Sequence, residues 1–160
     1  MDPISIRAAR RDDVQVMAQL LMASAESQGE RESLCVGAAD LLREGFSDAP
    51  RFHALIAEAN GRAVGLALYC ITFSTWTSIN GLHLEDLYVD LQWRRQGVAR
   101  ALMRELADVA VTHHCRHLHW FVLHSNARAR RFYESLGADI VDDWATMQLD
   151  VAHATKRASK

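Results

Sequence analysis

A chain of 160 residues, 49% hydrophobic and 24% charged, has the composition of one folded domain rather than of a disordered or fibrous protein. Its 18 basic and 20 acidic residues give a formal net charge of -2, which excludes a polybasic, histone-like chain. The charge is nevertheless segregated: residues 94–131 carry eight Arg and two acids (+6), residues 1–93 carry 7 basic and 13 acidic residues (-6), and 132–160 are -2. This poses the question of what anion the basic segment handles.

Three cysteines at wide spacing (Cys35, Cys70, Cys115) imply no disulfide framework, so a reducing, cytoplasmic compartment is expected. No apolar run approaches the ~20 residues needed to span a bilayer, and the N-terminus lacks the apolar core of a secretory signal. A single domain over residues 1–152 with a basic tail over 153–160 is the expected organisation.

In chain order, Ile4–Ala8 alternates as a short strand, and Asp12 and Asp13 are candidate cap acids for a helix carrying Val14, Met17, Leu20 and Leu21 at helical spacing. Ala38–Phe46 reads as a second helix, ended by Gly45 and Pro50. Phe52–Ala59 and Ala63–Phe73 are strand-like runs around Asn60-Gly61, a dipeptide suited to the positive φ angles of a tight hairpin. Leu82–Val89 is a strand, and Gly97–Thr112 a helix with Val98, Leu102, Leu106, Val109 and Ala110 on one face. His117–Leu123 reads as a strand that includes Trp120, Asn126–Leu136 as a helix closed by Gly137, and Ala145–Val151 as a last strand before a frayed tail, Lys156–Lys160. The order β-α-α-β-β-β-α-β-α-β, with hairpins early and one strand–helix–strand crossover, predicts a mixed α/β (α+β) sheet. It should be mostly antiparallel, with one parallel pair, flanked by helices.

The segment between Val89 and the Gly97 helix carries the chemistry. A strand turning into a helix leaves the first helical amides without internal partners, and with the helix dipole these form an anion site. Gly97 and Ala99 lack bulk, so a pyrophosphate could approach the main chain, with Arg94, Arg95 and Arg100 around it. The same spacing also fits an ordinary helix start with solvated arginines.

Arg94-Arg95-Gln96-Gly97-Val98-Ala99 fits a Q/R-x-x-G-x-G/A pattern. Leu87-Tyr88-Val89 precedes it, and Asn126, Arg131-Phe132-Tyr133 and Gly137-Ala138 follow. In this the chain resembles the GNAT superfamily of N-acetyltransferases. Through Ile6-Arg7, Asp40-Leu41-Leu42, Gly45-Phe46, Trp76, Leu84-Glu85-Asp86 and Asn126–Ala138 it is most similar to the diamine (spermidine/spermine) and thialysine branch.

The resemblance implies the GNAT fold, acetyl-coenzyme A as cosubstrate and a homodimer. Leu87, Tyr88 and Val89 would pair with the pantetheine arm where two strands splay. Amides and side chains of Arg94, Arg95, Gln96, Gly97, Val98, Ala99 and Arg100 would hold the pyrophosphate. Asn126, Ala127, Arg128 and Ala129 would flank the coenzyme. Tyr133 would protonate the leaving thiolate, a role that suits an uncharged phenol of pKa ~10. Packing is the other reading of Tyr133. An alkylamine must lose a proton before attack, and Glu85 would serve as base through water, with Asp86 attracting the cation. Adjacent on a strand, these two should point to opposite faces. A solvated acidic pair is the alternative.

His117 and His119 share a strand face and His113-His114 closes a helix, but no third ligand stands at a recognised spacing, so no metal is expected. Cys115 reads as a buried, inert thiol. Trp76 and Trp120 read as packing, with Trp76 a further candidate for the acceptor pocket. The chain departs from the polyamine pattern at Ser74 and Gln28, where an acid is expected, although Glu26, Glu30 and Glu32 could compensate. A short amine, whether an amino-acid side chain or a small diamine, therefore fits as well as spermidine.

The expected function is direct acetyl transfer to a small amine in a ternary complex, without nucleic acid or membrane. Other readings are an acetyltransferase for a protein N-terminus or antibiotic amine, and a non-catalytic coenzyme A-binding regulatory module.

Overall fold

The computed structural model describes residues 4–143 and 145–151. The chain divides into two compact units, Met1–Phe121 and Val122–Lys160.

In the first unit, β1 (Ser5–Ala8) is followed by a 3-10 turn (Arg11–Asp13), α1 (Val14–Gln28) and α2 (Ala38–Gly45). Then come β2 (His53–Ala59), β3 (Arg62–Ser74), β4 (Ile79–Val89), α3 (Val98–Thr112) and β5 (Cys115–His119). The five strands lie in chain order in one sheet, antiparallel except for the parallel β4–β5 pair. This is the mixed sheet that the strand pattern predicted.

Local chemistry accounts for each join. Asn60 and Gly61 both take positive φ, 52° and 72°, as the two central positions of a tight hairpin require. The carboxylate of Asp13 does not cap α1. It accepts from the Arg10 N–H and from Arg7, which also donates to Glu58 on β2 at 2.6 Å. Arg7 thereby ties β1, the 3-10 turn and β2 together, and its guanidinium holds the Asp13 carboxyl below the ordinary carboxylate range. Helix α2 ends at Gly45, whose missing side chain lets the Phe52 ring sit where a Cβ would clash.

The sheet is covered on both faces. On one, Val14, Met17, Leu20 and Leu21 of α1 and Leu41 of α2 pack on Ala54, Ile56, Leu66, Leu68 and Tyr88. On the other, α3 buries Val98, Leu102, Met103, Leu106 and Ala110. Val109 is only half-buried.

Three expectations are corrected. The strand expected at His117–Leu123 starts and ends earlier, at Cys115–His119, so Trp120 lies beyond it. Residues 145–151, expected to be a strand, have none of its pairing and are exposed, because alternation makes a strand only where another strand supplies the hydrogen bonds. Trp76 is no core residue: it sits in the β3–β4 turn, 88% exposed. The tail expected at Lys156–Lys160 lies outside the described residues. Among those described, no helix is long and apolar enough to cross a membrane.

The second unit contains α4 (Ala127–Glu134), closed by Gly137 at φ 87°.

Candidate active site

The parallel pair β4–β5 is in register at Asn80↔Cys115, Leu82↔Leu118 and His83↔His119, and there it stops. Strand β4 continues for six residues to Val89 with pairing to β3 alone. From Leu84 to Val89 its β5-side edge has no strand partner among the described residues. An unpaired strand edge presents alternating amides and carbonyls for another extended chain. Leu87, Tyr88 and Val89 lie on this open edge, though the Val89 carbonyl already accepts from Arg94 Nε at 3.0 Å.

The chain then turns directly into the basic loop. Asp90 caps a 3-10 turn (Leu91–Trp93) by accepting from the Gln92 N–H, and Gln96 donates back to the Gln92 carbonyl at 2.8 Å. Arg95 and Gly97 are both left-handed, at φ 63° and 84°. A left-handed residue just before a helix curls successive amides toward one point, the geometry of an anion nest. In α3 the Ala101 N–H bonds back to the Gly97 carbonyl, so the amides of Val98, Ala99 and Arg100 precede the regular intrahelical ladder. Buried Val98 anchors this helix start against Gly65, where an added Cβ would come 3.3 Å from Val98 Cγ1. Arg95, Gln96, Gly97 and Arg100 are exposed, whereas Arg94 is half-buried, its guanidinium 5.7 Å from the Tyr88 ring centroid. Arg94 thus braces the loop onto β4, while the exposed residues face outward.

Upstream on β4 the acidic pair sits on a β-bulge. Leu84 pairs with Tyr69 and Asp86 with the adjacent Leu68, leaving Glu85 as the extra residue. A bulge reverses side-chain parity. Leu82 and Leu84 occupy the α3 face before it, and Leu87 takes that face after it, opposite Ala67. Glu85 and Asp86 therefore both lie on the face that carries Leu68 and Tyr88. The expectation of opposite faces is thus corrected, since it assumed an unbroken pleat.

The two carboxylates differ in environment. Glu85 is exposed and hydrogen-bonded to His83 Nε2 at 3.2 Å. Asp86 is half-buried, and burial, with the Glu85 charge beside it, raises its pKa above the ordinary carboxylate value. His83 was missed by sequence reasoning, although its i−2 spacing from Glu85 was a usable signal. It belongs to a ring cluster with His119 (centroids 4.8 Å apart) and Phe121 (5.5 Å), and His117 lies 5.5 Å from His119. Among the described residues, no group of three or more His, Cys, Asp or Glu side chains is arranged to hold a metal ion. Cys115 is half-buried, and burial raises its thiol pKa, which disfavours the reactive thiolate.

In the second unit, Asn126 Oδ1 caps α4 by accepting from the Ala129 N–H at 3.1 Å. Ala127 and Arg128 follow in the exposed first turn. Tyr133 is half-buried beside Phe132, with ring centroids 5.2 Å apart. Burial raises its phenol pKa, so it stays protonated at neutral pH.

An open strand edge, a left-handed loop and a helix start thus follow one another along the chain, with a carboxylate pair on the edge itself. The Acetyltransferase (GNAT) family profile matches residues 16–138. Spermidine/spermine N(1)-acetyltransferase-like protein 1 of Homo sapiens is 34% identical over 145 residues, covering 86% of this chain and 21% of that protein. The chain therefore spans only about a fifth of that relative. Thialysine N-epsilon-acetyltransferase of Bos taurus is 33% identical over 143 residues, 84% of each chain. An integron cassette protein from the mobile metagenome of V. cholerae shares the fold, with a TM-score of 0.81 at 22% identity and 98% of both chains covered. The chain is an acetyltransferase and belongs to the GNAT family.

Proposed function

We propose that this acetyltransferase moves the acetyl group of acetyl-coenzyme A directly to a primary amine of a small molecule. The observation that carries this reading is the run from the open Leu84–Val89 edge into the left-handed Arg95–Gly97 loop and the start of α3. An extended pantetheine suits the edge, and a pyrophosphate suits the amides from Gln96 to Arg100, with Arg95 and Arg100 adding charge. A β4 amide aimed at the thioester carbonyl would stabilise the tetrahedral oxyanion. Asn126, Ala127, Arg128 and Ala129 are assigned to the coenzyme's flank.

Glu85 is assigned as base through water, and Asp86 as the charge that attracts the ammonium. Tyr133, held protonated by burial, is assigned as the acid that supplies a proton to the departing thiolate. No activated nucleophile is needed, because the freed amine attacks the thioester itself.

The acceptor class follows from charge. Ser74 accepts from the Thr77 N–H within its own turn, and Gln28 donates to Ser24, so neither position adds a carboxylate. Glu26 is paired with Arg31 at 3.1 Å, which removes one compensating charge. With Glu85 and Asp86 as the local anions, a short diamine or an amino-acid side-chain amine such as thialysine fits better than a long polycation. Trp76, on its exposed turn, is assigned to the acceptor's alkyl chain.

The homodimer is proposed as well: Met147, Leu149 and Val151 alternate as exposed apolar residues that a second copy could cover. Light scattering of the purified chain tests it. For the reaction, thiol release from acetyl-coenzyme A is measured over spermidine, short diamines, thialysine, lysine and peptides. Turnover is expected with the short amines. Coenzyme binding without thiol release from any amine would favour a regulatory module instead.

A further inference from the structure

The base assigned to Glu85 has a geometric problem. Its side chain is 62% exposed, and a flexible exposed carboxylate is a poorly aimed one. The structure holds a device that addresses this. His83, two residues earlier on the same sheet face, is only 13% exposed and places Nε2 at 3.2 Å from Glu85 Oε2. An ionised carboxylate has no proton to give, so Nε2 carries the hydrogen and donates it.

The ring that makes this bond is itself held. It lies beside His119 and Phe121, at 4.8 and 5.5 Å between centroids, and across from Cys70 on β3. Gly81 makes room for this cluster: an added Cβ would lie 3.4 Å from both His117 Nε2 and His119 Cε1, and 3.0 Å from Thr72 Oγ1.

We propose that His83 is a positioning residue that holds Glu85 Oε2 through Nε2–H and turns Oε1 toward the acceptor ammonium. The inference rests on the assignment of Glu85 as base. In the step it serves, one ammonium N–H bond breaks and the proton passes, through water, to Oε1. The freed lone pair then forms a C–N bond to the thioester carbon, and as the tetrahedral intermediate collapses the C–S bond breaks. The thiolate takes a proton from Tyr133, the surplus proton on nitrogen restores the phenol through solvent, and Glu85 returns its proton to solvent after the products leave. The other titratable groups around His83 are Glu85 and Asp86 on β4, Cys70 on β3, and His117 and His119 on β5. Burial, reinforced by His83 and His117, lowers the pKa of His119.

The test uses the full chain in the thiol-release assay with the best amine. His83→Phe keeps a ring and removes the donor, whereas His83→Gln restores an N–H donor. His83→Phe is expected to lower kcat by about 10–100-fold, the scale of a misaimed reacting group, with KM for acetyl-coenzyme A unchanged. His83→Gln should recover most of the lost kcat, and His117→Asn, in the same ring cluster, should keep the wild-type kcat. The proposal is overturned if His83→Phe retains the wild-type kcat. It is equally overturned if His83→Gln is as impaired as His83→Phe, if coenzyme KM rises in step with the loss of kcat, or if His117→Asn loses as much kcat as His83→Phe. A wild-type chain that releases no thiol with any amine overturns the enzymatic reading itself, which is a separate failure.

Discussion

Gly97 is the position where backbone conformation and the proposed coenzyme site meet. It holds φ 84° immediately before α3, and no atom lies within 4 Å of the place a Cβ would take. Gly97→Ala therefore introduces no clash; its cost is purely conformational. A non-glycine residue in the left-handed region loses about 1–2 kcal/mol. Part of this is offset because alanine lowers the entropy of the unfolded chain, worth about 0.4–1 kcal/mol. The net is of order 1 kcal/mol, or about 2–4 °C in Tm for a chain of this size. Arg95, two residues earlier, is already left-handed, so the loop has little slack. Some of the strain should be relieved by rotating the amides away from their nest, which raises KM for acetyl-coenzyme A by roughly five- to tenfold. Gly97→Asn, a residue that tolerates this region, should show smaller effects on both quantities. Thermal melts and steady-state kinetics on the two variants decide the matter. Unchanged Tm and unchanged coenzyme KM in Gly97→Ala would show that neither the helix start nor the coenzyme depends on this left-handed residue, and an asparagine variant as impaired as the alanine one would exclude a conformational cause.

Tyr133→Phe keeps the ring beside Phe132 and removes the hydroxyl; kcat in the thiol-release assay should fall by about 10²–10⁴-fold. Asp86→Asn should raise Tm at neutral pH while raising the acceptor KM. The Asp86 carboxyl has a folded pKa above its unfolded value, so its stabilising contribution is present below the unfolded pKa of ~3.9 and is lost as pH rises through the folded one. The gain in Tm should therefore shrink below about pH 4. Asp13 has the opposite sign: its folded pKa is depressed, chiefly by the Arg7 hydrogen bond. Its contribution is present above ~3.9 and is lost as pH falls through the depressed value. Asp13→Asn should cost about 1–2 kcal/mol at neutral pH and close on the wild type as pH falls below the ordinary carboxylate range, measured by denaturant midpoints across pH.

The parts legible in the sequence were those written in local chemistry or strong periodicity. Asn60-Gly61 announced its hairpin because few dipeptides accept two positive φ angles. The α1 and α3 faces were readable because apolar residues recur at helical spacing and end up buried. The turn into α3 was readable because Gly97 stands where a strand gives way to a helix. The bulge at Glu85 left no such mark. It depends on how β3 and β4 settle against two different helices, and it decided that Glu85 and Asp86 share a face. The early end of β5 is likewise a property of strand pairing, since Phe121–Leu123 is as strand-like in composition as the residues before it. Met147, Leu149 and Val151 alternate convincingly, yet alternation specifies a face and not a partner. His83 was hidden for a different reason. The His117-x-His119 repeat fits a familiar ligand pattern, whereas the i, i+2 spacing of His83 and Glu85 becomes a contact only once the strand is formed.

The proposed reaction carries the acetyl group from coenzyme A to an amine nitrogen. Acetyl-coenzyme A carrying an isotope-labelled acetyl group, incubated with the enzyme and a mixture of short amines and spermidine, tests it directly by mass spectrometry of the products. The label is expected on a primary amine of a short acceptor, in amounts equal to the thiol released. Coenzyme bound but never deacetylated, or label found on no amine, would rule this transfer out.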